Sequence, residues 1–239
     1  MIHHDEKQPQ KPFDIALQRW FHAITGHFFF TAMLGALSLT SVLLVIGCFW
    51  LFAKTGGVIF LIGSIPFAAL SGGIWAPMHG MNRQLQFDHT NYLFKELWKH
   101  TRQSFVHGAA LGVLLLFVCI VLYLPILMSL MLQEPIPFGV VCIIMIGSVL
   151  LPVVADYTFY QISRWEISLF AAISNSFLLI FRVGWPSVAT CLVWVAYFIL
   201  TIFFPYTLVP LSLFIGLTSV LNLTTQALYS PKIDALMSN

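Results

Sequence analysis

Six long apolar stretches, separated by short polar segments, dominate the hydropathy pattern of the chain. A helix needs about 20 apolar residues to cross a hydrocarbon layer roughly 30 Å thick. Each stretch reaches that length, so the pattern predicts an all-α transmembrane bundle of about six spans. The predicted spans run from Phe28 to Ala53, Val58 to His79, Val106 to Leu132, Phe138 to Tyr160, Val183 to Phe204 and Tyr206 to Tyr229.

The polar segments at the two ends set the predicted domain boundaries. Residues 1–27 contain acidic and basic side chains without an apolar core, so they are interpreted as a cytoplasmic segment and not as a cleaved signal peptide. A single transmembrane domain covers residues 28–229. Residues 230–239 are predicted to form a cytoplasmic tail.

The positions of lysine and arginine predict the orientation of the spans. With the N-terminus inside, every one of the 11 basic residues except Lys54 lies on the cytoplasmic side. Only 8% of the residues are charged, whereas a soluble domain has about 25%, so lipid is the solvent for much of the surface. The net charge of +2 gives no argument for a nucleic-acid partner.

Residues 90–105 differ from the predicted spans because apolar pairs alternate with charges. The pairs recur every four residues, which predicts an amphipathic helix. We expect it to lie in the inner membrane interface, with Trp98 at headgroup level and Lys95, Lys99 and Arg102 towards anionic lipid. The alternative is that it docks on the cytoplasmic ends of the other helices.

A weak internal repeat with an offset of 76 residues is suggested by matched positions in the two halves of the chain. The pattern predicts two parallel copies of a span, an interfacial helix and a second span. The second copy is less polar, which leaves burial between spans as an alternative position for its short helix. The matches are Leu93 with Leu169, Phe94 with Phe170, Phe105 with Phe181 and Gly108 with Gly184.

Four polar residues form the candidate site, and all fall near the predicted inner ends of spans: His79, Asp156, Asn222 and Gln226. Polar groups in lipid need partners from other helices or trapped water, and an ionisable group at membrane depth suggests a function. We expect the four to form one site open to the cytoplasm. The alternative for Asp156 is a structural contact with a nearby arginine.

The chain lacks the short signatures of common catalytic sites. It has no phosphate-binding glycine loop, no paired catalytic carboxylates and no nucleophile–base motif. Met78, His79 and Met81 lie on one helix and cannot close a metal coordination shell by themselves. We therefore predict no catalytic residues, no metal and no cofactor.

The order of short segments along the chain resembles the YesL-like family of bacterial membrane proteins, a domain of unknown function. This resemblance implies a bacterial plasma membrane protein that accompanies carbohydrate uptake systems. The chain departs from the family at residues 71–73 and 87–89, so no site residue is carried over. The resemblance rests on Pro12-Phe13-Asp14, Ile65 to Leu70, Leu93 to Trp98, Arg102 to Phe105, and Leu151 to Tyr157.

Three functions follow as hypotheses. The first is a non-enzymatic accessory or scaffold protein that binds a membrane transport complex or another copy of itself. The second is a permease for a small uncharged solute, moving through a cavity between the second, fourth and sixth spans. The third is a membrane-embedded enzyme acting on lipid or glycan. A scaffold predicts a closed bundle, a permease a continuous polar path, and an enzyme a cluster of titratable groups.

Overall fold

The computed structural model describes residues 12–87, 92–133 and 135–237, and it confirms the predicted all-α bundle. This described part consists of nine helices joined by short connections. They are α1 (Pro12–Gly26), α2 (Phe28–Thr55), α3 (Val58–Phe87), α4 (Leu93–Leu132), α5 (Phe138–Arg164), α6 (Leu169–Val183), α7 (Trp185–Phe203), α8 (Pro205–Phe214) and α9 (Leu217–Met237).

Five of these helices, α2, α3, α4, α5 and α7, are long and apolar enough to cross a membrane. Helices α8 and α9 pass the same test only together, and they are bent by 77° at the break between them. The protein is therefore a multi-pass membrane protein whose described residues contain five candidate spans, or six if the bent pair counts as one.

The predicted sixth span, Tyr206 to Tyr229, is not a single helix. The break is at Gly216, which has a φ of +67° and lies against α2. A Cβ atom at this position would lie 2.4 Å from the Cα of Ala32, so no larger residue fits without displacing the backbone.

The separate interfacial helix predicted for residues 90–105 is not formed. Residues 93–105 are helical, but they belong to the 40-residue helix α4, which continues without a break through the third span. Such a helix is about 60 Å long, twice the thickness of the hydrocarbon layer. Residues 90 and 91 lie outside the described residues. The four predicted interfacial side chains are all exposed: Lys95, Trp98, Lys99 and Arg102.

Small residues explain why α3 and α4 pack as a long antiparallel pair. A Cβ atom at Gly72 would lie 2.1 Å from the carbonyl oxygen of Gly108, and one at Gly112 would lie 2.2 Å from that of Ala68. Small residues at four-residue spacing allow helix backbones to approach this closely in lipid. The contact aligns the two helices, and α3 continues beyond its predicted end at His79 as far as Phe87.

Helix α6, in the second half, is a separate short helix as the repeat predicted. Ser168 caps its start by accepting a hydrogen bond from the backbone nitrogen of Ala171 (3.3 Å). One face is buried against α5, where Ser176 lies 2.8 Å from Gln161 Nε2. The opposite face is exposed, including Phe181. The helix ends at Gly184, which has a φ of +71°.

Both terminal helices pack at the same end of the bundle, which we call the basal end. Here Arg19 lies 5.0 Å from the ring centre of Phe87, at the end of α3. Arg83 Nη2 lies 2.9 Å from Asp234 Oδ2, near the end of α9. Both terminal segments contribute helix to the bundle, because α1 covers Pro12–Gly26 and α9 continues into the predicted tail as far as Met237. Residues 1–11, 238 and 239 lie outside the described part.

Candidate functional site

Two helices present polar side chains to each other near the basal end. On α3, His79, Asn82 and Gln86 follow each other at intervals of three and four residues, so they share one face. On α9, Asn222 and Gln226 are four residues apart, so they also share one face. Asn82 Nδ2 donates to Asn222 Oδ1 (2.7 Å), which joins the two faces directly.

The four candidate residues meet in the structure, and we call them the polar cluster. His79 Nε2 lies 2.6 Å from Asp156 Oδ1. Asn222 Nδ2 lies 2.7 Å from the same histidine nitrogen and 3.0 Å from the same carboxylate oxygen. Gln226 Nε2 donates to the backbone oxygen of His79 (3.1 Å). Residues from α3, α5 and α9 therefore form one hydrogen-bonded group.

Further contacts hold the two ionisable side chains in place. Thr225 Oγ1 donates to the second carboxylate oxygen of Asp156 (3.1 Å). Phe159 stacks on the imidazole ring of His79, with the ring centres 5.5 Å apart. Hydrogen bonds in such a buried group strengthen one another, because the surroundings screen them weakly.

One shared proton follows from the geometry of the histidine. Nδ1 of His79 lies 2.8 Å from the carbonyl oxygen of Trp75, which can only accept, so Nδ1 must carry a hydrogen. At 2.6 Å, Nε2 and Asp156 Oδ1 need one further proton between them, because two bare acceptors would repel. Whichever atom holds it, the pair has no net charge. Because the pair is neutral, the free-energy cost of burying both groups is lower.

The predicted opening of this site to the cytoplasm is wrong. His79, Asn222 and Gln226 are 0% exposed and Asp156 is 3% exposed, so the protein encloses the cluster. The alternative contact between Asp156 and an arginine is also not formed among the described residues, where its partners are His79, Asn222 and Thr225. The cluster is thus an internal connection between helices.

An apolar cavity of about 410 Å³ lies on the other side of Asp156, between α2, α3, α4, α5 and α7. Trp75, Phe159 and Trp194 form part of its wall together with the side chain of Asp156. Along α3 the wall extends from Ala68 to Trp75, which corresponds to about 10 Å of helix. Asp156 is therefore shared between the polar cluster and the wall of an apolar space.

Sequence reasoning missed several members of this region. Asn82 and Gln86 were overlooked because the second span was predicted to end at His79, although their spacing on one helix face was visible. Thr225 is one of several polar residues in α9, and the sequence does not distinguish it from the others. Trp75 had no polar signal, because its backbone oxygen, and not its side chain, binds His79.

The described side chains of the cluster can hold and orient a proton. The described hydrogen bonds place no hydroxyl or thiol of a nucleophilic residue on the ring nitrogens of His79. Within the described residues, no group of three or more histidine, cysteine, aspartate or glutamate residues could hold a metal ion.

Comparisons with known proteins give no relative from which a role could be transferred. No family model matches the chain, and neither a curated protein nor a solved structure matches it. Function must therefore be inferred from the geometry of the chain itself.

Proposed function

We propose that the protein is a non-enzymatic accessory component of a larger membrane assembly, related to the YesL-like proteins and associated with carbohydrate uptake. The observation that supports this proposal is the enclosure of the polar cluster. Its side chains bind one another across α3, α5 and α9 and have almost no exposed surface. Such an arrangement fastens helices together, as a scaffold requires.

The same observation disfavours a permease that acts alone. A polar solute crossing the bundle needs groups along its path that replace its lost water. The cavity described above has an apolar wall, and it is lined by the second and fourth predicted spans, α3 and α5, but not by the predicted sixth span. It ends at the closed cluster, so the described residues form no continuous polar path.

We further propose that the basal end faces the cytoplasm of a bacterial cell, as the distribution of basic residues indicates. Reporter fusions after residues 56 and 134 should then be read as external, and fusions after residues 90 and 239 as internal. An internal signal at residue 56 or 134 would contradict this topology.

The accessory role is tested by quantitative purification from native membranes after mild cross-linking. We expect the membrane subunits of a carbohydrate transporter to be recovered with the tagged protein in near-equal amounts. Another tagged multi-pass protein of the same membrane, used as the control, should not recover them. In parallel, liposomes containing only this protein should take up no labelled sugar. Uptake by those liposomes would instead establish a permease.

A membrane-embedded enzyme acting on lipid is the second candidate, and one observation favours it. Asp156 reaches both the shared proton and the wall of the apolar cavity, where a lipid chain could lie. Incubation with lipid extract followed by mass spectrometry tests this function. An enzyme would form a product that Asp156→Asn abolishes and Asp234→Asn preserves, because Asp234 lies outside the cluster. Absence of any product with the wild-type protein removes this candidate.

A further inference from the structure

A second cavity, of about 260 Å³, lies at the basal end between α3, α4 and α5, and we call it the basal pocket. Unlike the apolar cavity, it is lined by charged and polar side chains. Its lining includes Arg83, Gln84, Lys99, Gln103, Ser163 and Arg164.

Positive charge predominates in the basal pocket. Three cations, Arg83, Lys99 and Arg164, face one carboxylate, Glu96, so the lining has a formal charge of 3 − 1 = +2. Asp234, outside the lining, pairs with Arg83 at 2.9 Å and leaves an excess of one positive charge. The cations come from three different helices, so the tertiary fold brings them together despite their mutual repulsion.

Two of the cations are available to a ligand. Arg164 has no carboxylate within salt-bridge distance among the described residues. Lys99 Nζ lies 3.8 Å from Glu96 Oε2, at the outer limit of an ion pair. Both side chains are exposed, so such weak pairing contributes little and leaves them free to bind an anion.

The pocket also offers a neutral donor. His100 Nε2 lies 3.0 Å from Gln84 Oε1, so the glutamine oxygen accepts and its amide nitrogen remains as a donor. A planar guanidinium, an ammonium and an amide around a small space suit an oxyanion with several acceptor oxygens. The enclosed volume suits a small anionic group, whereas a folded acidic partner would need a wider surface.

We propose that the basal pocket binds a phosphate group, held by Arg164 and Lys99 with Gln84 as a further donor. The phosphate comes from either a lipid headgroup or a free phosphate, because the pocket is at the end of the spans where headgroups meet water. This site goes beyond the accessory role and does not depend on it, since the ligand is bound by this chain alone.

The test uses the full-length purified protein in a maltoside detergent, which contains no phosphate. One arm titrates inorganic phosphate by calorimetry, and the other titrates short-chain phosphatidic acid. Arg164→Gln and Lys99→Gln are compared with Lys95→Gln, which removes the same charge from an exposed position of α4 outside the pocket lining.

We expect Arg164→Gln and Lys99→Gln each to raise the Kd about tenfold, whereas Lys95→Gln changes it less than about twofold. Binding of phosphatidic acid alone identifies the source as lipid, and binding of inorganic phosphate alone identifies it as soluble. Binding of both supports a site for the phosphate group itself. The proposal is overturned if neither ligand binds, or if Lys95→Gln weakens binding as much as Arg164→Gln.

Discussion

The two halves of the chain begin with similar sequence patterns and end with different structures. In the first half, Gly108 lies inside the continuous helix α4 and packs against Gly72. In the second half, Gly184 lies 76 residues later, has a φ of +71° and separates α6 from α7. Equivalent glycines thus allow close helix packing in the first half and separate two helices in the second half.

A neighbouring residue accounts for this difference. Pro186 follows Gly184 in the first turn of α7, where a missing backbone N–H costs nothing. The equivalent position of the first half, two residues after Gly108, is Ala110. Proline at that position would remove a backbone hydrogen bond from α4, whereas alanine preserves it and favours the helix. A sequence repeat therefore does not require a structural repeat when one helix breaker differs.

The largest effect is expected at the pair that joins the two halves, His79 and Asp156. Asp156→Ala leaves three buried side chains, His79, Asn222 and Thr225, without their common hydrogen-bond partner and should lower the free energy of unfolding by about 3–5 kcal/mol. Thermal unfolding in detergent measures this loss. Asp156→Asn should cost less, because its amide can still donate to the histidine. If the double variant His79→Ala/Asp156→Ala loses the sum of both single effects, the pair is not coupled.

A proline exchange tests the difference between the halves directly. Ala110→Pro should destabilise the protein by about 3 kcal/mol, because it interrupts α4 at an exposed position where no packing is lost. Pro186→Ala should cost no more than about 1 kcal/mol, because alanine is also accepted in the first turn of α7 and only the rigidity of proline is lost. Unfolding midpoints of the two variants provide the measurement, and similar losses would contradict the role assigned to Pro186.

Close packing of α3 on α4 is tested by adding a single methyl group. Gly72→Ala places a Cβ against the backbone of Gly108 and should cost about 1–3 kcal/mol. Gly63→Ala is the matched control on the same helix, because a Cβ there meets nothing within 4 Å. Equal stabilities of the two variants would show that α3 and α4 do not approach this closely.

The smallest effect concerns the docking of α6 on α5. Ser176→Ala removes one of three acceptors of Gln161 Nε2, together with the contact to Thr158 Oγ1 (2.9 Å). It should cost about 1 kcal/mol, with faster hydrogen exchange confined to α6. Ser104→Ala, in the first half, serves as the control, because among the described residues that hydroxyl donates to the backbone oxygen of His100 in its own helix and to no other helix. Faster exchange throughout the bundle would contradict a local role for Ser176.

Much of the candidate site was predictable because polar residues stand out in an apolar chain. His79, Asp156, Asn222 and Gln226 were selected by depth alone, and they do lie together. Their enclosure was not predictable, because it depends on how closely α9 approaches α3. The basal pocket was missed as well, since Arg83, Lys99 and Arg164 are far apart in sequence and meet only after folding.

The sequence by itself determined that lipid surrounds much of the surface, that the fold is all-α and approximately where the spans lie, because these properties depend on local hydrophobicity and helix length. Tertiary structure alone decided that α4 continues past its predicted start, that the last span bends by 77° at Gly216, and that the polar cluster is closed. These outcomes depend on contacts between helices that are distant in sequence, such as Gly216 against α2 and Asn222 against His79, which no local pattern specifies.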